Sequence, residues 1–263
     1  MPSSPMAEPE IPEAGRSSDG LHAEGRDPWQ ALSAHTAARI ALGRAGGSLR
    51  TESLLQLKLA HAGARDAVHA SFDLPGLERE FRSRGFDAIR LETAASDRDT
   101  YLARPDLGRR LAPESAGRLH ASAESMGRRD LVIIVSDGLS AAAAQANAAG
   151  TVTELARILG ESGWALYPIV LVPFARVKLQ DEIGGTLGAR HSIILLGERP
   201  GLSAHDSLGA YLTYEPRMER TDADRNCVSN IRTNGLPPLA AARKIADILL
   251  KSRRLKLSGT ALR

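Results

Sequence analysis

The chain has 263 residues, of which 43% are hydrophobic and 25% charged, the make-up of a globular protein that can bury one large or two small cores. A net charge of +3 with 4% aromatic residues leaves little for the basic, aromatic-studded grooves that hold single-stranded nucleic acid. The longest apolar runs, Leu131 to Val135 and Trp164 to Pro173, fall well short of the roughly 20 residues of a membrane-spanning helix, and a single cysteine, Cys227, rules out an internal disulfide or a multi-cysteine metal site and fits a reducing compartment.

Residues 1–26 contain Pro2, Pro5, Pro9 and Pro12, several acids and no aromatic residue. That composition cannot offset the entropy of ordering, so the segment reads as a disordered arm, with neither the basic start nor the apolar stretch of a signal peptide. Order is expected from Asp27 and Pro28, an N-cap and a first-turn proline ahead of Trp29, Leu32 and Ala34. The glycine-rich G-R-A-G-G-S-L-R from Gly43 reads as a turn feeding a helix from Thr51 to about His69, carried by Leu54, Leu55, Leu59, Ala62 and Val68. A helix from Leu77 to Arg84 stopped by Gly85, a short strand in F-D-A-I-R-L from Phe86, and a helix from Pro113 to Ser125 come next. Residues 27–128 are therefore expected to be mainly helical.

From Arg129 the pattern changes. The run D-L-V-I-I-V-S-D-G predicts a strand buried on both faces. After it come an alanine-rich helix from Ser140 to about Gly160, a strand from Trp164 to Val172, a helix from Val177 to Leu187, and strands from Ser192 to Leu196 and from Ala210 to Tyr214. Pro237 and Pro238 open a last helix with Leu239, Ala242, Ala246 and Leu249 facing inward, and the basic run K-S-R-R-L-K-L from Lys251 complements its C-terminal dipole. Alternating strands and helices imply an α/β fold for residues 129–263, a Rossmann-like, mainly parallel sheet with helices on both faces.

Open sheets of this kind bind ligands just beyond strand ends. Three words stand near such ends and read as loops around a ligand: V-K-L-Q-D-E-I-G-G from Val177, G-E-R-P-G from Gly197, and D-R-N-C-V-S-N from Asp224. In the second, Pro200 and Gly201 force a turn that would hold Glu198 in a fixed direction beside Arg199. Asp137 reads first as a cap for the helix beginning near Ser140 and second as a ligand contact. Cys227 has no histidine near it in sequence, and a lone cysteine is more often packing than nucleophile. The seven histidines form no metal-binding grouping, no serine sits in a G-x-S-x-G elbow, and the Gly43 loop matches no phosphate-binding fingerprint. No catalytic and no metal-ligating residue emerges; binding outranks chemistry.

The words G-R-A-G from Gly43, Y-L-A-R-P-D-L-G-R-R-L from Tyr101, V-S-D-G-L-S from Val135, R-V-K-L-Q-D-E-I-G from Arg176, L-L-G-E-R-P-G-L from Leu195, Y-E-P-R-M from Tyr214 and D-R-N-C-V-S-N-I from Asp224 succeed one another in this order. Over most of Arg39 to Ala242 the chain thereby resembles the small, or light, subunit of ethanolamine ammonia-lyase, an adenosylcobalamin-dependent enzyme. The resemblance implies cobalamin contacts at Val177, Glu198 and Cys227. It implies a large barrel subunit as partner in a hetero-oligomer with equal numbers of each, and no activity of this chain alone. In such enzymes cobalt–carbon homolysis starts a radical conversion of ethanolamine to acetaldehyde and ammonia. Nothing here resembles the D-x-H-x-x-G word that supplies a histidine to cobalt elsewhere, so the cofactor is expected to keep its own base. The proline-rich arm lacks the helical period of a microcompartment address, which favours the general cytoplasm. From the residues alone two other readings stay open. One is an autonomous nucleotide-binding Rossmann-type oxidoreductase, which needs a glycine fingerprint that Ser136 to Ala144 lacks; the other is a non-catalytic scaffold docking a partner through its basic C-terminal tail.

Overall fold

The computed structural model describes residues 28–36, 38–198, 200–201 and 204–262. The expected arm at 1–26, the cap at Asp27, and Arg199 lie outside the described residues. The chain divides into two units, residues 1–54 and 55–263. In the first, a 3-10 helix spans Pro28–His35, and strands β1 (Arg44–Ala45) and β2 (Ser48–Leu49) form a hairpin around Gly46 and Gly47. Gly46 has φ +60, a left-handed conformation open to glycine at no steric cost. Helix α1 (Thr51–His69) begins in this unit and continues into the second; Ala67 is its one buried residue, and Leu55 and Leu59 remain exposed.

The second unit is built on a six-stranded sheet, ordered β3 (Ala88–Arg90), β5 (Ile169–Leu171), β4 (Leu131–Ser136), β6 (His191–Gly197), β7 (Leu208–Tyr214) and β8 (Arg225–Ile231). All pairings from β3 to β6 are parallel, and β7 alone is reversed, so the sheet is mainly parallel as expected. Alternating residues feed two cores. Leu131, Ile133, Val135, Ile193, Leu195, Leu208, Ala210 and Leu212 face α2 (Leu74–Ser83), α5 (Ala141–Glu161) and α7 (Pro238–Leu255). Val132, Ile134, Val170, Val172, Ile194 and Leu196 face α4 (Pro113–Met126) and α6 (Leu179–Leu187). Two short elements that the periodicity did not predict, α3 (Arg98–Ala103) and a 3-10 turn at Leu107–Arg109, lie between β3 and α4.

Several expectations are corrected. The stretch from Trp164 to Val172 contributes Ile169–Leu171 to the ladder and an isolated bridge from Leu166 to Leu131, the two being separated at Pro168, which has no N–H to donate. The third of the three loop-like words is a strand, β8, paired with β7. Its Asn and Ser residues hide the signal, since only Arg225, Val228 and Ile231 are buried along it. On α7 the inward face runs through Ala241, Ala242, Ile245, Ala246 and Leu249, whereas Leu239, in the first turn on the margin of that face, is 56% exposed. Its last turn does carry Arg253 and Arg254.

His191 opens β6 between the rings of Trp164 and Tyr214, with Nε2 3.2 Å from Ser252 Oγ. Burial first, and the charge of Arg190 second, depress its pKa from 6.5 to about 4. The folded chain thus keeps the ring neutral while the unfolded chain protonates, so stability falls as pH drops from 6.5 towards 4 and is unaffected by this group above that window. Replacing His191 with leucine should remove about 2 to 3 kcal/mol of the stability lost between pH 7 and pH 4.5, as read by urea denaturation at the two pH values; an unchanged pH dependence would contradict this.

Candidate functional site

The parallel strands end together, and the segment leaving each end is tied to its neighbours. Asp137, just beyond β4, is fully buried, and its Oδ2 accepts from Arg98 Nη2 at 2.9 Å while Arg98 Nη1 donates to the Gly138 carbonyl at 2.6 Å. Its Oδ1 accepts from the N–H of Phe174 at 2.7 Å, and Ser136 Oγ accepts from that of Ala175 at 3.0 Å. The Tyr101 hydroxyl donates to the Ala175 carbonyl at 3.2 Å, and the Arg176 N–H donates to the Gly108 carbonyl at 2.7 Å. Phe174 has φ +59, a conformation that costs a bulky residue energy and persists only where its surroundings dictate it. Asp137 and Ser136 supply that dictation, and the turn they fix delivers Val177 to the start of α6.

Asp137 is therefore not a helix cap. Ser140 caps α5, accepting from the Ala143 N–H at 3.2 Å, because it directly precedes the first helical residue while Asp137 still points into the sheet end. Burial pushes the Asp137 carboxyl above its ordinary range, and the Arg98 guanidinium and the Phe174 N–H pull against that rise.

On the face packed by α4 and α6, the helices stop short of the antiparallel extension, and an open cavity of about 700 Å³ lies there. Val177, Arg176, Tyr211, Cys227, Arg109 and Arg225 line it. An adjoining cavity of about 360 Å³ reaches the strand ends at Leu196, Gly197 and Glu198, and shares Arg176, Val177 and Tyr211 with the first. The two cavities thus bring together all three residues singled out from the sequence. Val177 stands in the turn before α6, Glu198 lies just past β6, and Cys227 lies within β8 directly opposite Tyr211. Contrary to the packing expectation, Cys227 is exposed.

Glu198 is held by Ser207, whose Oγ donates to its Oε2 at 2.5 Å, with the Asn230 N–H at 3.4 Å. Gly209 makes this possible, since a Cβ there would sit 2.7 Å from Glu198 Oε1. The carboxylate is thus directed by Ser207, just before β7, and by β8, not by the Pro200–Gly201 turn alone. Although Cys227 is exposed overall, partial burial on its sheet side raises the thiol pKa, the charge of Glu198 raises it further, and the Tyr211 hydroxyl and Lys244 act in the opposite direction. Burial, followed by Cys227 and Glu198, pushes Tyr211 up to about 12. At neutral pH the floor of the site is a neutral phenol beside a neutral thiol. Among the described residues no group of three His, Cys, Asp or Glu could hold a metal ion.

Tyr211, Tyr101, Arg98 and Arg109 were not singled out individually in the sequence. The word beginning at Tyr101 carried a resemblance but no role, because its residues act only once the chain folds back on the turn after β5. Replacing Asp137 with alanine would leave Arg98 and the Phe174 N–H without their acceptor and should cost about 3 kcal/mol in urea denaturation. Asparagine, which retains an acceptor, should cost less; an alanine variant as stable as the native chain would show that the network does not hold the turn.

A family model described as ethanolamine ammonia-lyase light chain (EutC) matches residues 26–263. Curated relatives agree. The ethanolamine ammonia-lyase small subunit of Azotobacter vinelandii is 53% identical over 238 residues, covering 90% of this chain and 88% of the relative. That of Xanthomonas campestris pv. campestris is 50% identical over 239 residues, with 90% and 88% covered. That of Pseudomonas fluorescens SBW25 is 48% identical over 239 residues, with 90% and 86% covered.

Proposed function

The chain belongs to the ethanolamine ammonia-lyase light-chain family, and from that premise we propose that it is the cofactor-holding subunit of an adenosylcobalamin-dependent ammonia-lyase, joined to a large barrel subunit that binds ethanolamine. The observation that carries this reading is the convergence of Val177, Glu198 and Cys227 on two cavities with a shared wall. Val177 stands in the turn before α6, Glu198 just past β6 and Cys227 on β8, so it is the fold that brings them together. In this reading the deamination belongs to the large subunit, and this chain's share is to hold the cofactor.

The residues present fit such a guest. Val177, Tyr211 and Leu196 offer apolar surface to a large ring, and the Glu198 carboxylate offers an acceptor to its amide side chains. The buried Nε of Arg176 has no hydrogen-bond partner within the described residues. When bound, the cofactor supplies a weak cobalt–carbon bond as the source of radicals. This chain's part is to hold, orient and shield. The latch at Asp137 fixes the Val177 turn, Ser207 fixes Glu198, and the neutral Tyr211–Cys227 pair brings no charge near the ring. Both cavities open to solvent, and in this reading the large subunit closes them against water, which protects reactive intermediates. We place the assembled enzyme in the cytoplasm, in keeping with the single unpaired thiol. No helix among the described residues is long and apolar enough to cross a membrane.

Glu198→Ala should weaken cobalamin retention by the assembled two-subunit enzyme about tenfold, the worth of one charge-assisted hydrogen bond, measured by equilibrium dialysis; unaltered retention would count against the assignment. An independent check uses the chain's one cysteine. Cobalamin should slow alkylation of Cys227 in the complex at least about tenfold, as an occluding guest limits access, read from the Cys227 peptide by mass spectrometry, and an equal rate with and without cofactor would contradict contact at β8.

A further inference from the structure

Val177, Glu198 and Cys227 do not answer the charge of the larger cavity. Five basic residues line it, Arg109, Arg176, Lys178, Arg220 and Arg225, against the single acid Asp222. Three of them are engaged within the chain. Arg225 gives Nη1 and Nη2 to Asp181 at 2.9 and 2.6 Å and Nη1 also to Thr213 at 3.0 Å. Lys178 Nζ donates to the carbonyls of Met218 and Arg220 at 2.8 and 2.7 Å, with Asp181 at 3.4 Å. Arg220 donates to the Glu215 carbonyl at 3.1 Å and to Asp224 at 3.4 Å.

The other two make no hydrogen bond or ion pair to a carboxylate among the described residues, although the charge of Arg109 acts on Asp106. Arg176 lies with its Cζ 4.1 Å from the centre of the Tyr101 ring, gives Nη2 to the Tyr101 carbonyl at 3.0 Å, and buries its Nε without a partner. Arg109 is exposed, and no hydrogen bond or ion pair of its guanidinium is found within the described residues. They are neighbours by construction. The Arg176 N–H bonds the carbonyl of Gly108, and a Cβ at Gly108 would meet Arg176 Cγ at 3.0 Å and the Phe174 carbonyl at 2.7 Å, so only glycine lets the two segments run this close. Two arginines that line one cavity and whose guanidinium groups bond no carboxylate among the described residues are complementary to a phosphate group, which offers paired oxygens to paired N–H donors.

We propose that Arg109 and Arg176 form a phosphate subsite and, resting on the cofactor reading above, that the group seated there is the phosphodiester of the corrinoid's nucleotide tail. Glu198 and Val177 would then meet the ring while the two arginines meet the tail. The word Y-L-A-R-P-D-L-G-R-R-L from Tyr101 gains a role, since it supplies the ring under Arg176, the close-approach glycine and Arg109.

The test compares two corrinoids on the assembled two-subunit enzyme by equilibrium dialysis: adenosylcobalamin, and adenosylcobinamide, which lacks the nucleotide tail and its phosphodiester. Arg109→Ala should raise the Kd for the cobalamin about tenfold or more and leave that for the cobinamide within about twofold, as expected for one lost charge-assisted contact. Excess inorganic phosphate should compete with the cobalamin and not with the cobinamide in the native complex. Equal loss of both corrinoids, loss of neither, or impaired subunit assembly of the variant on gel filtration would overturn the subsite while the native complex still retains cobalamin. A native complex that retains neither corrinoid would overturn the cofactor reading itself.

Discussion

One buried carboxylate organises the end of the sheet. Asp137 sits where β4 stops, and its two oxygens are used in opposite directions, towards Arg98 on α3 and towards the N–H of Phe174 on the turn leaving β5. Ion pairs taken out of water are poor sources of net stability, because desolvation offsets most of the attraction. Their value is in geometry. A carboxylate committed to Arg98, the Phe174 N–H and the Ser136 hydroxyl has few alternative arrangements, and here it selects a left-handed Phe174 that an unconstrained chain would avoid. Everything on the cavity's upper wall descends from that choice: the Arg176 amide on Gly108, the guanidinium on Tyr101, and Val177 in front of α6.

The lower wall arises from a different cause. Up to β6 the sheet is parallel, and both faces are covered by helices, as parallel sheets require. β7 and β8 then add an antiparallel extension, whose one face is covered by α7 and α5 while α6 leaves the other partly bare. Tyr211 and Cys227 project from that bare face, one on each strand, and Gly209 clears the space in which Glu198 lies. The site is thus wider than the crevice at the strand ends, extending from the carboxyl edge onto the sheet's own surface.

How much of this could be read in advance depended on whether the signal was local. The strand at Leu131–Ser136 is an uninterrupted apolar run, and α1, α4 and α5 carry helical spacing or N-terminal proline and serine signals, so they appeared close to their actual bounds. β8 escaped because an edge strand with one solvent face carries Asn, Cys and Ser where a central strand carries Val and Ile. α3 escaped because it is a single capped segment of 6 residues, with Asp97 receiving the Thr100 N–H. Of the site, Val177, Glu198 and Cys227 were legible only through their words and the order of those words. The pairing of Asp137 with Arg98 spans 39 residues, and that of Asp137 with Phe174 spans 37. No local pattern encodes such contacts.

The cavity's cations show why a count of charges is a poor guide to what a site binds. Arg225 has a side-chain exposure of 3% and Asp181 of 0%, so this pair ties β8 to α6 and defines the gap between them without offering a donor to any visitor. Lys178 does the same for the segment at Met218 to Arg220, since its ammonium is surrounded by two carbonyls and a carboxylate. Such cations set the width of the opening, and neutralising one of them would change shape before it changed charge. Only where donors outnumber internal acceptors does a basic residue present anything to a ligand. The physical content of a basic cavity is therefore the remainder of this subtraction, and here it concentrates beside Gly108, where two backbones pass too closely for any larger side chain.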